Sequence, residues 1–168
     1  MIRDFNGNSP QIAPTAFVSE AAYIVGDVEI GENSSIWPGA VLRADFGKII
    51  IGKNTCIEDN SVVHGAADVT IGDNTIIGHG AIVHCSKIGN NVLVGNNATI
   101  LDGAEIGDFC IIGAGSVVAP ETKIAEISVV TGIPARIKGQ LSQKQLTQLR
   151  LGPDIYAKLA QKYKHQGL

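Results

Sequence analysis

Ile71-Gly72-Asp73-Asn74-Thr75-Ile76-Ile77-Gly78-His79-Gly80-Ala81-Ile82-Val83-His84 carries an aliphatic residue at every sixth position, Ile71, Ile77 and Val83. The same period extends outward in both directions. It runs through Ile12, Val18, Ile24, Ile30, Ile36 and Leu42, then Ile51, Ile57 and Val63, and resumes at Ile88, Val94, Ile100, Ile106, Ile112, Val118, Ile124 and Val130. Glycine often follows directly, with Asn or Asp next or one later, as in Gly72-Asp73-Asn74 and Gly89-Asn90-Asn91. Such residues tolerate left-handed backbone angles and turn corners. A period of six fits neither an amphipathic helix nor a strand that alternates without turning. Three hexads closing a triangular coil do fit. One aliphatic per face points inward, a turn sits at each corner, and each coil of about 18 residues stacks on the next at the strand spacing, about 4.8 Å. The expected fold is all-β, a parallel β-helix of hexapeptide repeats over residues 1–133. A C-terminal helical segment, residues 134–168, packs along it as part of one domain.

Composition agrees with thin, regular layers. Of the 168 residues 45% are hydrophobic but only 5% aromatic, and 20 are glycine. A net charge of −3 and the lack of a Lys/Arg cluster argue against a nucleic-acid partner. No apolar run approaches the roughly 20 residues that span a bilayer. The start, Met1-Ile2-Arg3-Asp4-Phe5, lacks the apolar core of a signal peptide. Cys56, Cys85 and Cys110 are odd in number with no CxxC spacing, so they read as small apolar fillers or inert thiols in a cytoplasmic protein.

The register slips in three places: nine residues from Leu42 to Ile51, eight from Val63 to Ile71, and five from Val83 to Ile88. A solenoid absorbs insertions as corner loops, which often gather on its functional face. All three slips flank histidines. The repeat ends near Val130, and Gly132-Ile133-Pro134-Ala135-Arg136 reads as a turn. Ser142 reads as a helix N-cap. Leu146, Leu149, Ile155, Leu159 and Tyr163 form an apolar stripe, expected to break or kink at Gly152-Pro153.

Stacking predicts which polar residues meet. With Ile51, Ile57 and Val63 marking faces one, two and three, Ile71, Ile77 and Val83 mark the same faces of the next coil. His64 and His84 then share one column on face three, with Arg43 in the same column one coil before, and His79 lies on face two in the column of Asp59. Two imidazoles one coil rise apart can converge on one ion. His79 can join them from a neighbouring chain of a cyclic trimer, where face two of one subunit can meet face three of the next. Three nitrogen ligands with a fourth position open is the layout of a catalytic zinc. An ordinary polar surface remains the other reading of these histidines, and His165, in the C-terminal tail, is incidental.

The segments Val41-Leu42-Arg43-Ala44-Asp45, Ile57-Glu58-Asp59-Asn60-Ser61-Val62-Val63-His64 and Ile77-Gly78-His79-Gly80-Ala81-Ile82-Val83-His84 resemble the gamma-class carbonic anhydrase family. The resemblance covers nearly the whole chain and matches the short branch that lacks an acidic loop. It implies a left-handed coil, an exception to the right-handed crossover rule. It further implies that His64, His79 and His84 bind zinc, or iron(II) or cobalt, between the subunits of a homotrimer. Metal-activated water would then attack carbon dioxide to give bicarbonate. Arg43 and Asp45 look like the family's Arg-x-Asp pair, which tends the interface and the anionic product. Asp59 matches an acidic residue that pairs near the site, and Tyr156 resembles a tyrosine near it.

Three departures bear on activity. Glu58 stands where active enzymes usually carry glutamine, and an ionised carboxylate cannot donate a hydrogen bond. Ala44 replaces a commoner glycine. The span from His64 to His79 lacks the loop that shuttles protons in the best-studied branch. Two alternatives to the carbonic anhydrase-like enzyme are a hexapeptide-repeat acyltransferase, which needs only one histidine base, and a weakly active metal-binding or scaffold protein. Val130-Thr131-Gly132-Ile133-Pro134-Ala135 occurs in both enzyme groups and does not discriminate.

Overall fold

The computed structural model describes residues 1–84 and 86–168. Cys85, read above as a filler, lies outside them. The chain winds into a left-handed parallel β-solenoid of about seven turns, closed on one side by a C-terminal helix. Face three stacks Ile2–Arg3, the first parts of Tyr23–Ile30 and Val41–Ile51, then Val62–His64, Ile82–Val83, Thr99–Ile100 and Val117–Val118. Face one stacks Gln11–Ile12, the last parts of the same two long strands, Val69–Ile71, Lys87–Ile88, Glu105–Ile106 and Lys123–Ile124. Face two stacks Phe17–Val18, Ser35–Ile36, Cys56–Ile57, Ile76–Ile77, Leu93–Val94, Ile111–Ile112 and Ser128–Gly132.

The pairing follows the aliphatic columns of the sequence. Leu42 pairs with Val63, Val63 with Val83 and Val83 with Ile100. Ile36, Ile57, Ile77, Val94, Ile112 and Val130 form the matching column on face two. These side chains fill the prism and are fully buried, each stabilising by about 1.5–3 kcal/mol relative to exposure.

The corners need left-handed backbone. Between faces one and two Asn33, Asn54, Asn74 and Asn91 have φ of 57, 56, 54 and 54°. Asn54 and Asn74 also link side chain to side chain, the Asn54 amide donating to Asn74 Oδ1 at 3.0 Å. Higher up, Phe109 and Ile127 hold the same conformation at 53 and 61° without an Asx side chain. Phe109 is retained through packing, because the Arg150 guanidinium lies 5.6 Å from its ring centroid and ties the helix to the corner.

The nine-residue step from Leu42 to Ile51 differs from expectation. It is no corner loop: Val41–Ile51 is one continuous strand of 11 residues, paired with Tyr23–Ile30. The two strands bend together round the corner with a register shift between Gly26 and Val28. Gly26 makes this possible. Its φ is +86°, and a Cβ there would lie 2.2 Å from the Ala44 carbonyl oxygen.

After the last coil, Ala135–Gln140 turns back and pairs antiparallel with Ser128–Gly132, a strand the periodicity does not signal. Ser142 then caps the helix Gln143–Gln166 through a reciprocal capping box with Gln145. The helix continues through Gly152-Pro153, where a break was expected. Leu149, Pro153 and Ala160 are buried on that side, so packing offsets the hydrogen bond that proline removes. The helix lies along face two, where Phe17, Trp37, Cys56 and Ile76 meet Ala160, Tyr156 and Tyr163. Phe17, Trp37 and Tyr163 form an aromatic cluster with centroids 5.1–5.9 Å apart. Burial there pushes the Cys56 thiol up to about 12, leaving it unreactive. Among the described residues no helix is long and apolar enough to cross a membrane.

Two corner substitutions test the backbone reasoning. Asn74→Ala should lower stability by about 1–2 kcal/mol, through left-handed strain and the lost side-chain link. Exposed Glu121, at φ 57°, should gain about 0.5 kcal/mol as Glu121→Asn. Urea unfolding of the two variants checks both signs.

Candidate metal centre

Arg43 pairs with His64 in register, and Val63 with Val83, which places His64 and His84 in one column at the end of face three. Their ring centroids are 5.0 Å apart, close to the rise of one coil. Buried Val63 and Val83 point inward, so the next residue in each strand points out.

Each outer nitrogen of this pair has a carboxylate beside it. His64 Nε2 lies 2.8 Å from Asp45 Oδ1, and His84 Nδ1 lies 2.9 Å from Asp102 Oδ1. Asp45 Oδ2 is also bonded by the Arg43 guanidinium. Burial pushes the Asp45 carboxyl up, but the bonds and charges of His64 and Arg43 outweigh it and hold it below its ordinary value. The Arg43 guanidinium also approaches His64 Nδ1 at 3.4 Å. Arginine only donates, so Nδ1 is the acceptor nitrogen and the His64 proton sits on Nε2, donated to Asp45. Asp102 stands beside His84 Nδ1 without the aligned hydrogen bond that joins His64 to Asp45.

The two inner nitrogens, His64 Nδ1 and His84 Nε2, face each other only 3.1 Å apart. In the metal-free chain one proton between them makes an ordinary hydrogen bond, and a cation in its place would bond both nitrogens. The separation is near the roughly 3.3 Å between neighbouring donors of a tetrahedral ion with bonds of 2.0–2.1 Å. The donor pair therefore fits a divalent metal.

His79 occupies the corner after face two. Gly78 and Gly80 flank it, and Gly80 has φ +66° with its Cβ direction 2.5 Å from Asn97 Oδ1. The His79 carbonyl accepts from the Asn97 N–H at 2.9 Å, which fixes the turn. Its Nδ1 lies 3.0 Å from Asp59, and its Nε2 lies 3.4 Å from Glu58 Oε2. Glu58 is buried; Oε2 accepts from the His79 N–H at 3.1 Å, while Oε1 has no hydrogen-bond partner among the described residues. Trp37, Glu58, Asp59, His79 and Tyr156 line a cavity of about 180 Å³ here. Tyr156 comes from the helix. Burial, then the Glu58 carboxylate, push its hydroxyl well above its ordinary value, yet no well-aligned hydrogen bond joins it to Oε1.

The candidate residues thus form two groups in one chain. Arg43, Asp45, His64 and His84 belong to one, and Glu58, Asp59, His79 and Tyr156 to the other. Among the described residues no three His, Cys, Asp or Glu side chains converge. Asp102 was missed by sequence reasoning, although stacking extended by one coil sets Leu101 over His84 and Asp102 directly after it. Phe46, 73% exposed with its ring 5.8 Å from His64, was missed as well.

Residues 85–120 match the family model for the bacterial transferase hexapeptide (six repeats). The chain is 36% identical over 161 residues to gamma carbonic anhydrase 2, mitochondrial, of Arabidopsis thaliana, covering 91% of this chain and 58% of that protein. It is 39% identical over 157 residues to the carnitine operon protein CaiE of Escherichia coli K12, covering 92% of this chain and 80% of CaiE. The chain belongs to the gamma carbonic anhydrase-like family of hexapeptide-repeat proteins. A hexapeptide transferase family protein of Anaplasma phagocytophilum superposes with a TM-score of 0.93 at 36% identity, covering 96% of this chain and 97% of that one. The chain spans little more than half the length of the Arabidopsis gamma carbonic anhydrase.

In this gamma carbonic anhydrase-like chain the orphaned carboxylate oxygen of Glu58 is a liability for folding. Glu58→Gln keeps an acceptor for the His79 N–H and removes a buried charge, so it should raise stability by about 1 kcal/mol or more. Thermal unfolding of the metal-free variant gives the test, and an unchanged or lower midpoint would contradict it.

Proposed function

We propose that the protein is a carbonic anhydrase-like metalloenzyme that hydrates carbon dioxide to bicarbonate at sites shared between the chains of a homotrimer. The observation that carries this reading is the pair of facing imidazole nitrogens, His64 Nδ1 and His84 Nε2, 3.1 Å apart with a carboxylate beside each outer nitrogen. His79 of a neighbouring copy completes a three-nitrogen set, because face two carries His79 at an exposed corner. Zinc is the expected ion, with iron(II) or cobalt as substitutes. A divalent ion held there lowers the pKa of a bound water towards neutrality and so supplies a nucleophile near pH 7.

The chain's own groups divide the remaining work. Asp45 holds both Arg43 and His64, so guanidinium and imidazole move as one unit. Arg43, with its side chain 45% exposed, presents donors and positive charge to the bicarbonate product. Glu58 and Asp59 fix the ring and backbone of His79. A small cavity of about 180 Å³ under Tyr156 adjoins His79.

A second reading draws on the family model and the Anaplasma protein, both named for transferases: acyl transfer with one of these histidines as base. A purified protein with bound metal and carbon dioxide hydration supports the first reading. Acyl-CoA binding with neither metal nor hydration overturns it.

Sharing of the site between chains has its own test. His64→Ala and His79→Ala should each abolish metal binding when expressed alone. Co-expressed, they should restore up to one metal per mixed trimer, because one interface then pairs an intact His64–His84 column with an intact His79. A site built within one chain would never be restored.

A further inference from the structure

We propose that the small cavity beside His79 is the docking pocket for Phe46 of a second copy of this chain. The pairing rests on the shared-site reading above and adds to it a contact that holds the copies together. Phe46 is the most exposed aromatic side chain among the described residues, at 73%. Its ring centroid lies 5.8 Å from that of His64, so it stands at the edge of the histidine column. The cavity is complementary in size and chemistry. Trp37, Tyr156, Leu159 and Tyr163 give it apolar walls, and Glu58, Asp59 and His79 line its remaining side. An apolar cavity of about 150 Å³ takes up a benzene ring, so about 180 Å³ accommodates the phenyl group of Phe46. Aromatic walls suit this occupant, because rings attract one another in edge-to-face and offset contacts.

The path of the chain shows why the two features do not meet within one copy. The chain enters face three past His79, in the turn before Ile82–Val83, and leaves it past His64, the last residue of Val62–His64. His79 and its cavity therefore lie on one edge of face three, and His64 and Phe46 on the other. Cyclic closure with face three towards the axis sets the exit edge of one copy against the entry edge of the next. An arrangement that brings His79 to His64 and His84 also brings the cavity, which His79 lines, to Phe46, whose ring packs beside His64. Face three is suited to such burial. Its outward residues Val41, Val62, Ile82, Thr99 and Val117 form an almost wholly apolar column. The outward column of face one carries Glu29, Lys87, Glu105 and Lys123 instead, and the helix covers face two.

Two measurements on the full chain test this. With the photoreactive analogue p-benzoylphenylalanine at position 46, irradiation should give covalent dimers. In these, position 46 should be joined to the cavity wall of the other chain, at Trp37 or within 156–163. Subunit exchange between isotope-labelled and unlabelled oligomers, followed by native mass spectrometry, should run about 30-fold faster or more in Phe46→Ala. That is the loss expected of a buried aromatic anchor at an interface. Phe46→Leu should fall between. Cross-links that miss the cavity, or an exchange rate unchanged in Phe46→Ala, would overturn the docking and leave the shared metal site standing. Cross-links at the cavity in a chain that binds no zinc would support the docking and count against the metal-centre reading alone. A wild-type chain that stays monomeric would overturn both.

Discussion

Stacking of buried aliphatics on three faces is the constraint on which the rest of this molecule depends. Most strands here contribute only two residues, one pointing in and one out, so almost nothing besides the inward Ile, Val or Leu holds a given coil in register. A slip by a single residue would exchange the core for the surface. With Leu42, Val63, Val83 and Ile100 locked in one column, the neighbouring outward positions are locked as well. The spacing of His64 and His84 is thus inherited from the backbone ladder. Their alignment needs no special loop, and their side chains need only be kept from turning.

Asp45 provides that restraint for His64 through a hydrogen bond, and carboxylates stand beside the other two rings. Asp45, Asp59 and Asp102 come from three different coils and from two corners, and each meets an imidazole at 2.8–3.0 Å. A regular coil places such groups at nearly constant offsets, so a contact between adjacent coils can be set by choosing one residue type at one corner. This explains how a fold of low local complexity can hold a directional site. The helix adds what the prism lacks: Tyr156 and Tyr163 cover face two and shape the cavity beside His79.

Much of this was legible before the structure. Hexad spacing alone placed the three faces, and stacking alone put His64 over His84 with Arg43 beneath. What escaped was set by contacts between segments distant in sequence. The continuous strand Val41–Ile51 depends on the close approach of Gly26 to Ala44, 18 residues apart. The unbroken helix across Pro153 depends on face two beneath it. Ala135–Gln140 carries no hexad signal, since Ile137 and its neighbours are exposed on an edge. Asp102 lies one coil above the histidines, outside the coils that carry them, and no motif of the sequence marks it.

Glu58 remains the point at which folding and chemistry pull in different directions. Its carboxylate is buried, one oxygen holds the His79 backbone, and the other has no partner among the described residues. Such a group lowers stability, and local rules of this kind are broken mainly where function gains from it. In the proposed centre the gain and the loss can be told apart by sign. A negative charge beside His79 favours a cation at the shared site and disfavours an anion next to it. Glutamine would offer bicarbonate a donor, whereas glutamate offers only acceptors. On the proposed function, a metal at this site would be joined to an environment that binds the anionic product weakly. Arg43 is the one cationic group in the site that opposes this, and Asp45 already engages it. The Arg43–Asp45 pair thus sets how much positive charge the product meets, and Glu58 sets how much of that charge is offset.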